Sequence, residues 1–157
     1  GVFPLAALVT RDSLDVAGHM ALGHYTHEKN PVACAAALAT LEVIESEKLP
    51  ERARELGTYA LQKMRELAER HPLIADVRGL GLLLGIELGK TTLDGTRQPA
   101  LVEAERVMYE SLKRGLNFKV TMGNVLTLTP ALIITRAELD QALAILDEVI
   151  GLVEASL

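Results

Sequence analysis

The chain has 157 residues, a formal charge of −5, 49% hydrophobic and 3% aromatic residues and one cysteine, enough for one domain of ordinary size with a sizeable core. Cys34 alone builds neither an intramolecular disulfide nor a thiolate metal site, which excludes a disulfide-stapled secreted scaffold and a zinc ribbon and makes a reducing, cytoplasmic setting the expectation. The 21 Asp+Glu outweigh 16 Lys+Arg without any basic run, arguing against nucleic acid as a partner, and no stretch approaches the ~20 apolar residues of a membrane-spanning helix.

Residue 1 is Gly, and the chain opens directly into the apolar run Val2 to Val9, which reads as cut from something longer. Leu5 to Thr10 has the continuous apolarity of a strand buried on both faces, whose partners are expected outside this chain or, alternatively, among its later strands. After a loop from Gly18 to Lys29, Asn30-Pro31 marks a helix start: Asn caps free amides, and Pro at the first position has its φ already set. The helix runs to about Glu47 and is rich in small residues over its first half. From about Pro50 to Arg70 a second helix is expected, with Ala53, Leu56, Ala60, Met64 and Leu67 at three- and four-residue spacing, stopped by His71-Pro72.

Ile74 to Leu88 reads as a bent strand or hairpin around Gly79 and Gly81, and Gly89 to Pro99 as a loop. Ala100 to Arg114 is an amphipathic helix closed by Gly115. Strands at about Leu116 to Val120 and Val125 to Thr129 flank the turn signal Thr-Met-Gly-Asn. The capping box Thr135-x-x-Glu138 opens a last helix with Leu139, Leu143, Leu146, Ile150 and Val153 on one stripe. The second half is thus an α+β layer, with helices on one face of a small sheet.

The candidate constellation for chemistry is Gly23-His-Tyr-Thr-His-Glu-Lys-Asn-Pro31. Thr26 lies four residues before an Asn-capped helix, where free amides and the helix dipole favour a phosphate; an ordinary polar capping loop has the same local features. His24 and His27 form an H-x-x-H pair without a carboxylate at a recognised offset, so no metal ligand is assigned. Lys29 suits either a phosphate contact or a solvent-facing charge, and Cys34 falls on the small-residue face. There is no Ser/His/Asp set, no Walker-type loop and no G-x-G-x-x-G opening a helix after a strand.

Three ordered blocks carry a family resemblance. Thr26-His-Glu-Lys-Asn-Pro-Val-Ala-Cys-Ala-Ala-Ala-Leu-Ala-Thr-Leu-Glu-Val-Ile-Glu45 resembles the T-x-x-x-N-P-L-A-x-A-A-A-L-A segment of class III, pyridoxal-phosphate-dependent aminotransferases. Asp76-Val-Arg-Gly-Leu-Gly-Leu-Leu-Leu-Gly-Ile-Glu-Leu88 is similar to their D-V-R-G-x-G-L-M-x-G-I-E-L strands, and Gly123-Asn-Val-Leu-Thr-Leu-Thr-Pro-Ala-Leu-Ile-Ile-Thr135 to their G-N-V-I-R-x-x-P-P-L-x-I-T block. The T-H-E-K-N-P version also resembles the dialkylglycine decarboxylase-like and aminophosphonate lyase-like branches.

The resemblance implies a fold type I architecture. Residues 1–48 would be the end of the large cofactor-binding domain, and 49–157 the small C-terminal domain. It further implies pyridoxal 5′-phosphate as cofactor, and a homodimer with shared active sites in which Thr26 bonds the cofactor phosphate of the opposite subunit. A small-molecule amino donor, 4-aminobutyrate-like or another ω-amine, and an oxo-acid acceptor would be the substrates.

Two departures bear on this. The family's Schiff-base lysine lies just upstream of the match to Gly1-Val-Phe-Pro4, and none of the six lysines here stands at an equivalent position; the chain as given is expected to be inactive. Thr127 stands where many members have an Arg that grips the substrate carboxylate, and a hydroxyl does not replace that charge. Thr127 is therefore the expected substrate-contacting position. Decarboxylase, racemase and ammonia-lyase branches stay open, as does a self-standing binding or assembly domain.

Overall fold

A computed structural model describes residues 3–20, 23, 26 and 28–157. The chain separates into two compact units, Gly1–Lys48 and Leu49–Leu157.

In the first unit the described regular structure is a short 3₁₀ turn, Asp12–Leu14, and helix α1, Pro31–Ser46. Asn30 caps α1 as expected, its Oδ1 accepting from Val32 N at 2.9 Å and Ala33 N at 3.4 Å. The buried strand expected at Leu5–Thr10 is not formed: these residues carry no strand assignment, and Leu8 and Val9 are 93% and 92% exposed. A strand needs a neighbour to take its amides and carbonyls, and the described residues of this unit contain none.

The second unit runs α2 (Leu49–Arg70), β1 (Ile74–Leu80), β2 (Leu83–Thr91), β3 (Arg97–Pro99), α3 (Leu101–Lys113), β4 (Lys119–Thr121), β5 (Val125–Leu128) and α4 (Arg136–Glu154). The sheet is antiparallel, in the order β1-β2-β5-β4, and β3 pairs with the far end of β2. That last pairing corrects the expected loop at Gly89 to Pro99. Asp94-Gly95 makes a hairpin turn: Asp94 gathers the hydroxyls of Thr92 and Thr96 and the Thr96 amide, and these bonds bring its pKa down to about 2. The strand expected at Leu116 begins only at Lys119. The capping box on α4 is present, Thr135 Oγ1 accepting from Glu138 N and Glu138 Oε2 from Thr135 N.

Alternation along the strands gives the sheet two unlike faces. Leu84, Ile86 and Leu88 of β2 and Leu126 and Leu128 of β5 point into the core. There they meet Ala60, Met64 and Leu67 of α2, Ala104 and Val107 of α3, and the α4 stripe Leu139, Leu143, Leu146, Ile150 and Val153. The other face carries Asp76, Arg78, Gly85, Glu87, Lys119, Thr121 and Thr127.

Two contacts pin this arrangement. Helix α2 meets the β1–β2 turn backbone to backbone: a Cβ added at Gly57 would lie 2.1 Å from the Gly81 carbonyl oxygen, and Gly81 itself turns the chain at φ +54°. At the other end of α2, buried His71 is held between two carboxylates of α4, its Nδ1 2.7 Å from Glu154 Oε2 and its Nε2 2.7 Å from Asp147 Oδ1. Glu154 also accepts from the Leu73 amide, and Arg70 bonds the second oxygen of Asp147.

Burial alone would lower the His71 pKa, but the hydrogen bonds to Glu154 and Asp147, reinforced by their charges, outweigh it and raise the pKa above 6.5. A raised folded pKa means that this contribution to stability is complete below the unfolded histidine value and is lost as pH rises through the folded one. Denaturant midpoints of the chain should therefore fall over that interval, and His71→Gln should remove the titration. Gly57→Ala should cost about 1–3 kcal/mol in the same measurement, because helix and turn must separate to admit the methyl group.

Candidate functional site

The two positions singled out in the sequence, Thr26 and Thr127, belong to different units. Thr26 is an exposed turn residue before α1. The helix start it precedes is less open to an anion than the sequence implies. Pro31 has no N–H, and the amides of Val32 and Ala33 are both directed at Asn30 Oδ1, so the cap itself uses the donors that a phosphate would need. What remains at Thr26 is a single exposed hydroxyl. It fits one hydrogen bond to a phosphate oxygen. His24 and His27 lie outside the described residues. Among the described residues no group of three His, Cys, Asp or Glu is placed to hold a metal ion.

Thr127 sits in the middle of the sheet's open face. Its place follows from the pattern Val125-Leu-Thr-Leu128: Leu126 and Leu128 are drawn into the core, which turns Thr127 outward. Its Oγ1 is 2.7 Å from Thr121 Oγ1 on β4. One hydroxyl of such a pair donates to the other, leaving the second proton free to donate elsewhere.

The register extends this position into a row across four strands. Arg78 of β1 faces Gly85 of β2, Gly85 faces Thr127 of β5, and Thr127 faces Lys119 of β4. Partners directly opposite have Cβ atoms about 4.5–5.5 Å apart, so Lys119 and Thr127 are immediate neighbours. Gly85 leaves the centre of the row without a side chain, and a groove of about 340 Å³ opens there, lined by the apolar Leu80, Leu83, Met122 and Val125 as well as by Arg78, Thr121 and Thr127, with Lys119 outside it.

The two cations of the row differ. Arg78 Nη1 is 2.7 Å from Asp76 Oδ2 and 2.6 Å from Glu87 Oε2, and these bonds raise its pKa. With two carboxylates on one guanidinium, that end of the row is net negative. Lys119 has no ion pair among the described residues. Its exposed ammonium is the uncompensated charge of the row.

Sequence reasoning identified Thr127 and missed Lys119. The alternation in Val125 to Thr129 shows that Thr127 leaves the core, but which residue stands beside it depends on the pairing of β4 with β5 across the Met122-Gly123 turn. The turn signal was visible and the register was not.

Residues 1–150 match the class-III aminotransferase family. The chain is 46% identical over 151 residues to the (R)-1-hydroxy-2-aminoethylphosphonate ammonia-lyase of Vibrio splendidus (strain 12B01), a match covering 96% of the chain and 31% of that protein. It is 41% identical over 155 residues to the isoleucine 2-epimerase of Lentilactobacillus buchneri, covering 96% and 33%. Among solved structures, the acetylornithine aminotransferase of Elizabethkingia anophelis superposes with a TM-score of 0.69 at 36% identity, covering 77% of this chain and 30% of that one. The chain thus spans about a third of the length of the curated relatives it matches. No helix among the described residues is long and apolar enough to cross a membrane. With a family match over nearly the whole chain and an antiparallel sheet backed by helices that superposes on a solved aminotransferase, the chain belongs to the class-III aminotransferases, whose cofactor is pyridoxal 5′-phosphate.

Proposed function

We propose that this chain is the C-terminal part of a pyridoxal-phosphate-dependent enzyme acting on a small amine, with residues 1–48 ending the large cofactor-binding domain and 49–157 forming the small domain. The observation that carries this reading is the family match over residues 1–150. The whole enzyme works as a cytoplasmic homodimer with shared active sites, moving an amino group from a small-molecule donor to an oxo-acid. When bound, the cofactor supplies an electron sink for cleavage of a bond at the substrate carbon bearing the amine. The lysine that holds it lies upstream of this chain, so residues 1–157 by themselves are inactive. This chain's own part is to bind and to orient: the Thr26 hydroxyl donates to the cofactor phosphate of the opposite subunit, and Thr127 faces the substrate.

A second reading, elimination of ammonia, is favoured by one specific likeness. The 46%-identical Vibrio protein is an ammonia-lyase whose named substrate carries a phosphonate, and Thr127 replaces the arginine that suits a carboxylate.

The visible absorbance of the whole protein tests the first step. A band from lysine-bound cofactor, lost when that lysine is replaced, is expected, and its absence in the unaltered protein would refute the enzyme reading. Thr26→Val in the whole protein should weaken cofactor retention about fivefold, the worth of one hydrogen bond, measured by equilibrium dialysis. Product analysis separates the two reactions: free ammonia without any oxo-acid acceptor marks elimination, and acceptor-dependent amine formation marks transfer.

A further inference from the structure

We propose that Lys119, acting with the Thr121–Thr127 hydroxyl pair, is the receptor for the acidic group of the substrate, and that it selects small amines bearing a phosphonate or carboxylate. The proposal rests on the enzyme reading above, which places Thr127 on the substrate side.

The argument begins with the charge that Thr127 lacks. A hydroxyl orients an anion but does not neutralise it, so a site for an acidic substrate needs a cation within one side-chain length. The register supplies one directly opposite, since Lys119 pairs with Thr127 on β4. Lysine suits this role, because a compact point charge with three donors on a flexible stem meets a tetrahedral phosphonate as readily as a planar carboxylate. Lys119 is exposed, and no acid among the described residues consumes its charge.

The rest of the face determines which end of the row an anion takes. Arg78 is already shared between Asp76 and Glu87, so the β1 end repels a second anion. Neighbouring strands are about 4.8 Å apart, which puts Asp76 and Arg78 on β1 two spacings, about 10 Å, from Thr127; Glu87 is nearer, one strand away on β2 and diagonal to Thr127, and its carboxylate is bonded by Arg78. Gly85 lies between Arg78 and Thr127, and the mainly apolar groove above it reaches Thr121 and Thr127; Lys119 does not line that groove but is the register partner of Thr127, which does. At the Thr127 end, the hydroxyl pair at 2.7 Å has one proton left to donate outward. An anion there receives that O–H and the Lys119 ammonium together.

The test uses the whole enzyme with its cofactor bound, so that the cofactor's own phosphate site is filled, and calorimetric titration with methylphosphonate. The unaltered enzyme should bind the probe. Lys119→Gln should weaken binding by about tenfold or more, as loss of a charge-assisted contact requires, and Lys119→Arg should restore most of it. In parallel, the preference for 2-aminoethylphosphonate over ethylamine, as a ratio of kcat/KM, should fall by a similar factor in Lys119→Gln. Equal methylphosphonate affinity in the unaltered enzyme and Lys119→Gln, with the cofactor band present, would overturn the role of Lys119 and leave the enzyme reading standing. A preparation without that band would overturn both.

Discussion

The two-residue alternation in β2 and β5 is the constraint on which the second unit depends. Ile86, Leu88 and Leu126 are fully buried, and each such side chain contributes roughly 1.5–3 kcal/mol through removal from water. A slip of one residue in either strand would exchange them with Gly85, Glu87 and Thr127, placing a carboxylate under three helices. The register is therefore held by the core, and the composition of the opposite face follows from it. The row of Arg78, Gly85, Thr127 and Lys119 exists because the residues beside them in sequence are needed inside.

The helices are held to this sheet by contacts of different kinds. At one end of α2 the Gly57–Gly81 approach is steric, with no room for a methyl group. At the other end His71 joins the helix terminus to α4 through two carboxylates, and Glu154 also fixes the Leu73 amide at the start of β1. Asp147 is affected in its turn. Its desolvation would raise its pKa, but bonds from His71 and Arg70 prevail and hold it low. Burial of His71 is tolerable because both of its ring nitrogens have a hydrogen-bond partner.

Most helix boundaries in both units were legible in the sequence because their signals are local. Asn30-Pro31, His71-Pro72, Gly115 and Thr135-x-x-Glu138 act within one helical turn, and each marks a helix boundary that the structure reproduces to within a residue or two. The Asp94-Gly95 hairpin was equally local and passed as loop, because a three-residue strand such as Arg97–Pro99 has no periodicity to read. The expected strand at Leu5–Thr10 failed for the opposite reason. Its apolar composition is a true strand signal, but forming a strand takes partners, and composition does not carry them. His71 was legible as a helix stop and not as an ion-pair centre, since Asp147 and Glu154 lie 76 and 83 residues away.

The same distinction bears on the two threonines. The Thr26 reading relied on free amides at the start of α1, and the Asn30 cap that makes the helix start recognisable is also what occupies those amides. A strong cap and an open anion site compete for the same N–H groups, so the contribution of Thr26 reduces to its own hydroxyl. At Thr127 the exchange runs the other way. Thr127 has no rigid, planar carboxylate fork of its own, while Gly85 keeps the adjacent surface open and β4 sets opposite it Lys119, which has no ion pair among the described residues. Flexible point charge and rotating hydroxyls impose less geometry than a guanidinium, so they discriminate less between one anionic shape and another.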